Sequence, residues 1–325
     1  MNFKITSDDP FRVLASTLPI VESLKYVKIH KENLDRIAEI ISDKLKSGIA
    51  AEEMHFEDAG NLRDNIQLIF LEDVVNFCFW AEKGKPKWEV EWPKGSKTVD
   101  GWFALTECFV RTLVQNKPIL KTTYLENISL KDVRSIFMGS NGAEVPLLEE
   151  RMKNLQEAGK VLKVKYDGEF INVLEKAEYD AIKLVQLILT DFPSFRDIAK
   201  LDGKEIYFLK RAQICALDLS YIKNLKIKNI SALSAFADYK IPQILRKFGI
   251  ISYKQELANK IDSYAIIPSG SMEEIEIRAA TIWCIELIKQ KLGKYTSADI
   301  DNALWLLSQD KSGVKPYHRT YSIYY

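Results

Sequence analysis

The sequence predicts a mainly α fold: a compact helical domain with a small β element, residues 1–325 forming a single domain. Two observations carry this. From Ala177 onward, five segments (177–190, 206–219, 231–249, 273–291 and 298–308) repeat apolar residues at three- and four-residue steps, with no long Pro/Gly/Ser linker between them. With 325 residues and 47% hydrophobic content, the chain can also bury a sizeable core.

The N-terminal half follows the same logic. Residues 11–24 read as a helix shortened or kinked by Pro19, and Leu34, Ile37, Ile40, Ile41 and Leu45 mark a second helix running toward a stop at Gly48. The run IQLIFLEDVVNFCFW, residues 66–80, is too apolar for a surface strand and reads as a buried helix ending in an aromatic cluster. KWEVEWPKGSKTVDGW alternates around Gly95, as a hairpin should, and residues 102–115 return to a helical pattern. Pro146 is placed to open a helix that stops at Gly159, and KVLKVKYDGEFINV reads as a strand pair turning at Tyr166-Asp167-Gly168.

Composition excludes several classes. Lys plus Arg number 46 against 45 Asp plus Glu, with no block of five like charges, so strong non-specific duplex binding is not expected. Cys78, Cys108, Cys215 and Cys284 lie far apart without a C-x-x-C pair, and His30, His55 and His318 are as scattered, so neither a metal site nor a disulfide scaffold is expected. Asp8 and Asp9 stand where a signal peptide would need an apolar core, and no apolar run approaches the ~20 residues of a membrane span, so a soluble cytoplasmic protein is expected. The chain has no 20–50-residue repeat, no G-x-G-x-x-G and no Walker sequence.

The stretch SAFADYKIPQILRKFG, residues 234–249, holds the main chemical candidate. Pro242 suits the first turn of a helix and pushes the preceding residue away from helical torsions, so Asp238, Tyr239 and Lys240 fall at a helix-turn-helix corner. A carboxylate there faces the positive end of the second helix; the plainer reading is a helix cap. Phe77, Phe79 and Trp80 with Asn76 offer flat faces and an amide suited to a heterocyclic base, or plain core packing. Further candidates are Asp197 in DFPSFRD, Lys210 beside Arg211 in FLKRAQI, Glu276 with Arg278 on an apolar helix, and His318 and Arg319 in a tyrosine-rich tail.

Taken in order, LEDVVNFCFW, GWFAL, VPLLEERMKNLQEAGK, FPSFRD, FLKRAQI, FADYKIPQIL, EIRAATIWCIE and PYHRT resemble the queuosine salvage family, the queuosine 5′-phosphate N-glycosylases, from about residue 10 to the end. The sequence departs from the family in carrying Trp102-Phe103 where a Tyr-Trp pair is common, and Tyr321 where arginine is common.

The resemblance implies a cytosolic hydrolase, similar in fold to helix-hairpin-helix DNA glycosylases, that cleaves queuosine 5′-monophosphate and releases the 7-deazaguanine base queuine for salvage into tRNA. It needs no cofactor, and its partner is a small nucleotide rather than a stable nucleic-acid complex. On this reading Asp238 answers the positive charge that develops on the ribose. Lys210 or Lys240 meets the phosphate, with His318 or Arg319 as further candidates, and Phe77, Phe79 or Trp80 stacks on the base. Asn76 with Asp197 or Glu276 reads the guanine-like edge, Glu286 being a spare. Two rivals stay open: a DNA-lesion glycosylase, and a non-catalytic carrier of a modified base.

Overall fold

A computed structural model describes residues 3–47 and 59–325; the expected stop at Gly48 and His55 lie outside the described residues. The chain runs α1 (Val13–Val21), β1 (Val27–Ile29), α2 (Leu34–Lys46), α3 (Leu62–Val74), β2 (Glu89–Val90), β3 (Val99–Asp100), α4 (Gly101–Val114), α5 (Thr122–Leu125), α6 (Leu130–Ile136) and α7 (Leu148–Lys165). It continues through α8 (Ile171–Lys176), α9 (Ala181–Asp191), β4 (Ile198–Leu201), β5 (Lys204–Tyr207), α10 (Lys210–Ser220), α11 (Lys240–Lys247), β6 (Ile251–Tyr253), α12 (Gln255–Asp262), α13 (Met272–Leu292) and α14 (Ser297–Leu307). The fold is mainly α, and the described strands pair only as antiparallel couples: β1–β6, β2–β3 and β4–β5.

Helix α13 is the spine. Every residue from Glu273 to Ile288 is buried, as expected of a helix without a polar face, and α1, α2, α11, α14 and β1 pack around it. Ser271 caps its start by accepting the Glu274 N–H, and Gly293, at φ 70°, ends it in the left-handed conformation that favours glycine. One apolar cluster extends from Phe11 to Tyr325.

The hairpin around Gly95 forms as expected, with Glu89 opposite Asp100 and Val90 opposite Val99. Four other expectations are corrected. The 66–80 segment stops being helical after Val74, so its aromatic residues sit on irregular chain. Pro146 lies outside α7, which begins at Leu148, and α7 runs through Gly159 to Lys165.

Gly159 is a packing glycine rather than a stop: a Cβ there would stand 2.6 Å from the Glu126 backbone nitrogen and 2.7 Å from the Leu125 Cβ, so α5 can approach α7 only at a glycine. The expected strand pair at 160–173 is therefore the end of α7, a turn at Tyr166–Gly168 and the start of α8. Lastly, residues 233–238 before α11 are not helical, so the Asp238 corner joins irregular chain to a helix. Among the described residues no helix is long and apolar enough to cross a membrane.

Candidate active site

Two buried arginines shape one wall of the site. A helix leaves its last carbonyls without partners, and here guanidinium groups supply them. From α10, Arg211 donates to the carbonyls of Asp73 at 3.0 Å and Val74 at 2.7 Å. From α7, Arg151 donates to the carbonyls of Val75, Phe77 and Cys78, and its guanidinium carbon lies 4.4 Å from the Phe77 ring centre and 5.1 Å from that of Phe79. The irregular segment after α3 is thereby fixed, with Phe77, Phe79 and Asn76 facing a cleft.

Helical spacing fills the other walls. Lys210, Ile214, Leu217 and Asp218 recur at three- and four-residue steps along α10, and Asp301, Trp305 and Gln309 at four-residue steps on and just past α14. Trp102 and Phe103 open α4 beside them, with ring centres 6.0 Å and 5.4 Å from that of Trp305. The cleft is thus lined by aromatic rings with a few converging charged groups, the usual make-up of a small-molecule site.

Asp238 lies at the centre of this chemistry. Its Oδ1 accepts the backbone N–H groups of Lys240 at 2.7 Å and Ile241 at 2.9 Å, so it does serve the helix start, and the residue also lines the cleft. Burial raises the Asp238 carboxyl above its usual range, against the pull of Lys210 and the two amides. Burial likewise lowers the Lys210 ammonium, and Asp238 is the first of the charges that oppose this. Lys210 also donates to the Asn76 carbonyl at 3.3 Å. Burial pushes the carboxyls of Asp301 and Asp218 well above the usual range; Asp301 holds the Phe236 N–H at 2.9 Å.

The structure brings together Asn76, Phe77, Phe79, Lys210, Asp238, Tyr239 and Lys240 from the sequence expectations. Others are committed elsewhere. Asp197 pairs with Arg278 through both oxygens, at 2.9 Å and 2.5 Å, and both side chains are 2% exposed. Asp197 Oδ2 also accepts the Lys210 N–H at 3.2 Å, while Arg278 donates to the Ala237 carbonyl at 3.1 Å. This pair therefore ties together the backbones that carry Lys210 and Asp238 without lining the cleft itself.

Glu276 accepts three backbone N–H groups, from Lys25, Tyr26 and Val27, and borders a separate surface groove. Glu286 is held by Ser297 at 2.5 Å. Trp80 lines a different depression, against Tyr321. His318 is fully buried, and burial together with Arg278 lowers its imidazole to about 3. Arg319 donates to the Ala81 carbonyl and lies 4.3 Å from the Tyr264 ring centre.

Sequence reading set aside Trp102 and Phe103 and passed over Asp218, Asp301 and Trp305. The available signal was helical spacing: Asp301 and Trp305 share a face of the predicted 298–308 helix, and Asp218 lies two turns beyond Lys210. Among the described residues, no group of three or more His, Cys, Asp or Glu side chains could hold a metal ion.

This is an aromatic cleft in which several buried carboxylates and two lysines converge, the arrangement of an enzyme that acts on a small molecule. The chain belongs to the queuosine salvage protein family, whose model matches residues 54–325. It is 36% identical to a Sphaerobacter thermophilus protein named queuosine 5′-phosphate N-glycosylase/hydrolase, over 98% of each chain. Proteins of the same name from Mus musculus and Bos taurus are 38% and 33% identical, over 79% and 94% of this chain and 81% and 96% of their own.

Proposed function

We propose that this protein hydrolyses the N-glycosidic bond of queuosine 5′-monophosphate, releasing the base queuine and ribose 5-phosphate, with Asp238 as the catalytic carboxylate. The observation that carries the reading is Asp238 itself: a partly buried carboxylate fixed by two backbone amides, with Lys210 as its charge partner, at an aromatic cleft.

As the C1′–N bond breaks, its electron pair leaves with the base and positive charge builds on the ribose. A carboxylate already held in place meets that charge without reorganising, and can orient the water that adds to C1′ or take its proton. Lys210 favours the ionised form of Asp238 that this role requires. The departing base needs a proton, and Asp218 and Asp301 line the cleft as carboxyls whose burial favours the protonated form.

For the base, Phe77, Phe79, Trp102, Phe103 and Trp305 provide stacking faces. Asn76, Asp218, Asp301 and Asn302 provide the polar edge in place of the committed Asp197 and Glu276. Chromatography of the purified protein incubated with queuosine 5′-monophosphate in ¹⁸O-water tests the reading. Free queuine with label in the ribose 5-phosphate supports it; return of intact nucleotide would make the protein a carrier.

A further inference from the structure

The chain segment that carries Phe77 and Phe79 has a second face. Both phenylalanines line the cleft, whereas the next residue, Trp80, borders a separate depression with Glu82, Pro86, Trp88, Pro146 and Tyr321. Trp88 joins the two, its ring stacked on that of Phe79 with centres 5.9 Å apart.

Three groups of this depression have capacity that the fold does not use. Trp80 is 1% exposed, and its indole N–H, which can only donate, meets no acceptor among the described residues. A buried donor left without an acceptor is costly, so an acceptor from outside the chain has something to gain there. Tyr321, its ring centre 4.6 Å from that of Trp80, is 39% exposed and presents a flat face. Glu82 accepts the Tyr321 hydroxyl and has no ion pair among the described residues, while Glu144, which also lines the depression, is committed to Arg134.

Tyr321 touches both Trp80 and Glu82, so a donor, a carboxylate and a ring face converge on it. A guanine-type edge carries the complementary groups in order: a lactam oxygen that accepts, then a ring N–H and an amino group that donate to a carboxylate. Adenine presents an amino donor where guanine has its oxygen, and would set donor against donor at Trp80.

We propose that Trp80, Glu82 and Tyr321 form a second binding site, for a guanine-type base, behind the wall of the cleft. Trp80 donates to the lactam oxygen, Glu82 accepts from the ring N–H and the amino group, and the base stacks on Tyr321. Two sources share this edge: queuine, the 7-deazaguanine base released in the reading above, and guanine nucleotides. The site stands on its own residues and does not require that reading.

The test is equilibrium dialysis of the whole chain against queuine, guanosine 5′-monophosphate and adenosine 5′-monophosphate, for wild type, Glu82→Gln and Trp80→Phe. Glu82 is exposed, so Glu82→Gln keeps the test open should Trp80→Phe fail to fold. The expected result is that each variant loses one bound queuine per chain, or binds it at least tenfold more weakly, and loses one guanosine 5′-monophosphate in the same way. Adenosine 5′-monophosphate binding should change by less than twofold.

Unchanged binding of queuine and guanosine 5′-monophosphate in Glu82→Gln overturns the site, as does an equal loss of adenosine 5′-monophosphate. Whichever of the two guanine-type ligands the site holds more tightly identifies its source. A protein that releases no base yet loses a bound guanine-type ligand on Glu82→Gln keeps this site and loses the reaction; one that releases queuine with ligand binding untouched by Glu82→Gln does the reverse.

Discussion

Replacing Arg278 by methionine tests the frame that holds the site. The guanidinium is 2% exposed and makes four hydrogen bonds: two to Asp197, one to Glu274 at 3.4 Å and one to the Ala237 carbonyl. Methionine fills much of the volume but leaves Asp197 buried without its counter-charge, and breaking such a pair from one side costs about 3–5 kcal/mol. At roughly 2 °C per kcal/mol for a chain of this size, the melting temperature should fall by about 6–10 °C.

Adding Asp197→Asn removes the stranded charge, and the double variant should recover at least ~1 kcal/mol relative to Arg278→Met alone. Urea unfolding of the wild type, both single variants and the double variant gives the coupling. A loss below ~1 kcal/mol, or a double variant no more stable than Arg278→Met, would refute the reasoning. Because Arg278 holds the carbonyl next to Asp238, turnover should fall in kcat more than in KM.

Three further outcomes follow from particular contacts. Gly159→Ala drives a Cβ into the backbone of α5 and should destabilise by about 1–3 kcal/mol in thermal melts, although alanine is the better helix former. Burial raises the Asp73 carboxyl to about 7, against Asn76, Lys210 and Arg211, and its Oδ2 has no hydrogen-bond partner. An acid that binds its proton more tightly when folded loses stability as pH rises from its unfolded value toward its folded one, so Asp73→Asn should flatten the fall in melting temperature between about pH 4 and 7. The same sign holds for Asp238: Asp238→Asn keeps an oxygen for the Lys240 and Ile241 amides and should melt no lower than wild type at neutral pH, while Asp238→Ala loses the cap and about 1 kcal/mol.

What could be read from the sequence is what local physics determines. The apolar period gave α1 to α4, α7, α9 to α11, α13 and α14 but not the short α5, α6, α8 and α12, Gly95 and the alternation around it gave the β2–β3 hairpin, and Pro242 placed Asp238 at the start of α11. Features decided by distant chain were hidden. Gly159 looks like a stop until α5 is seen against α7, and nothing near Asp197 announces Arg278, 81 residues away, as its partner. Asp301 and Trp305 lie on an ordinary amphipathic helix, and only the packing of α14 beside α4 and α10 turns them into walls of the cleft. Trp80 misled for the converse reason: its neighbours Phe77 and Phe79 reach the cleft, but once α3 ends the chain turns Trp80 toward Tyr321.

The most direct test of the central claim is single-turnover release of queuine from queuosine 5′-monophosphate by wild type and Asp238→Asn, each saturated with substrate as judged by fluorescence. Loss of one preorganised transition-state group predicts a rate at least ~10²-fold lower for Asp238→Asn with substrate still bound. Release at the wild-type rate would contradict the assignment of Asp238 as the catalytic carboxylate.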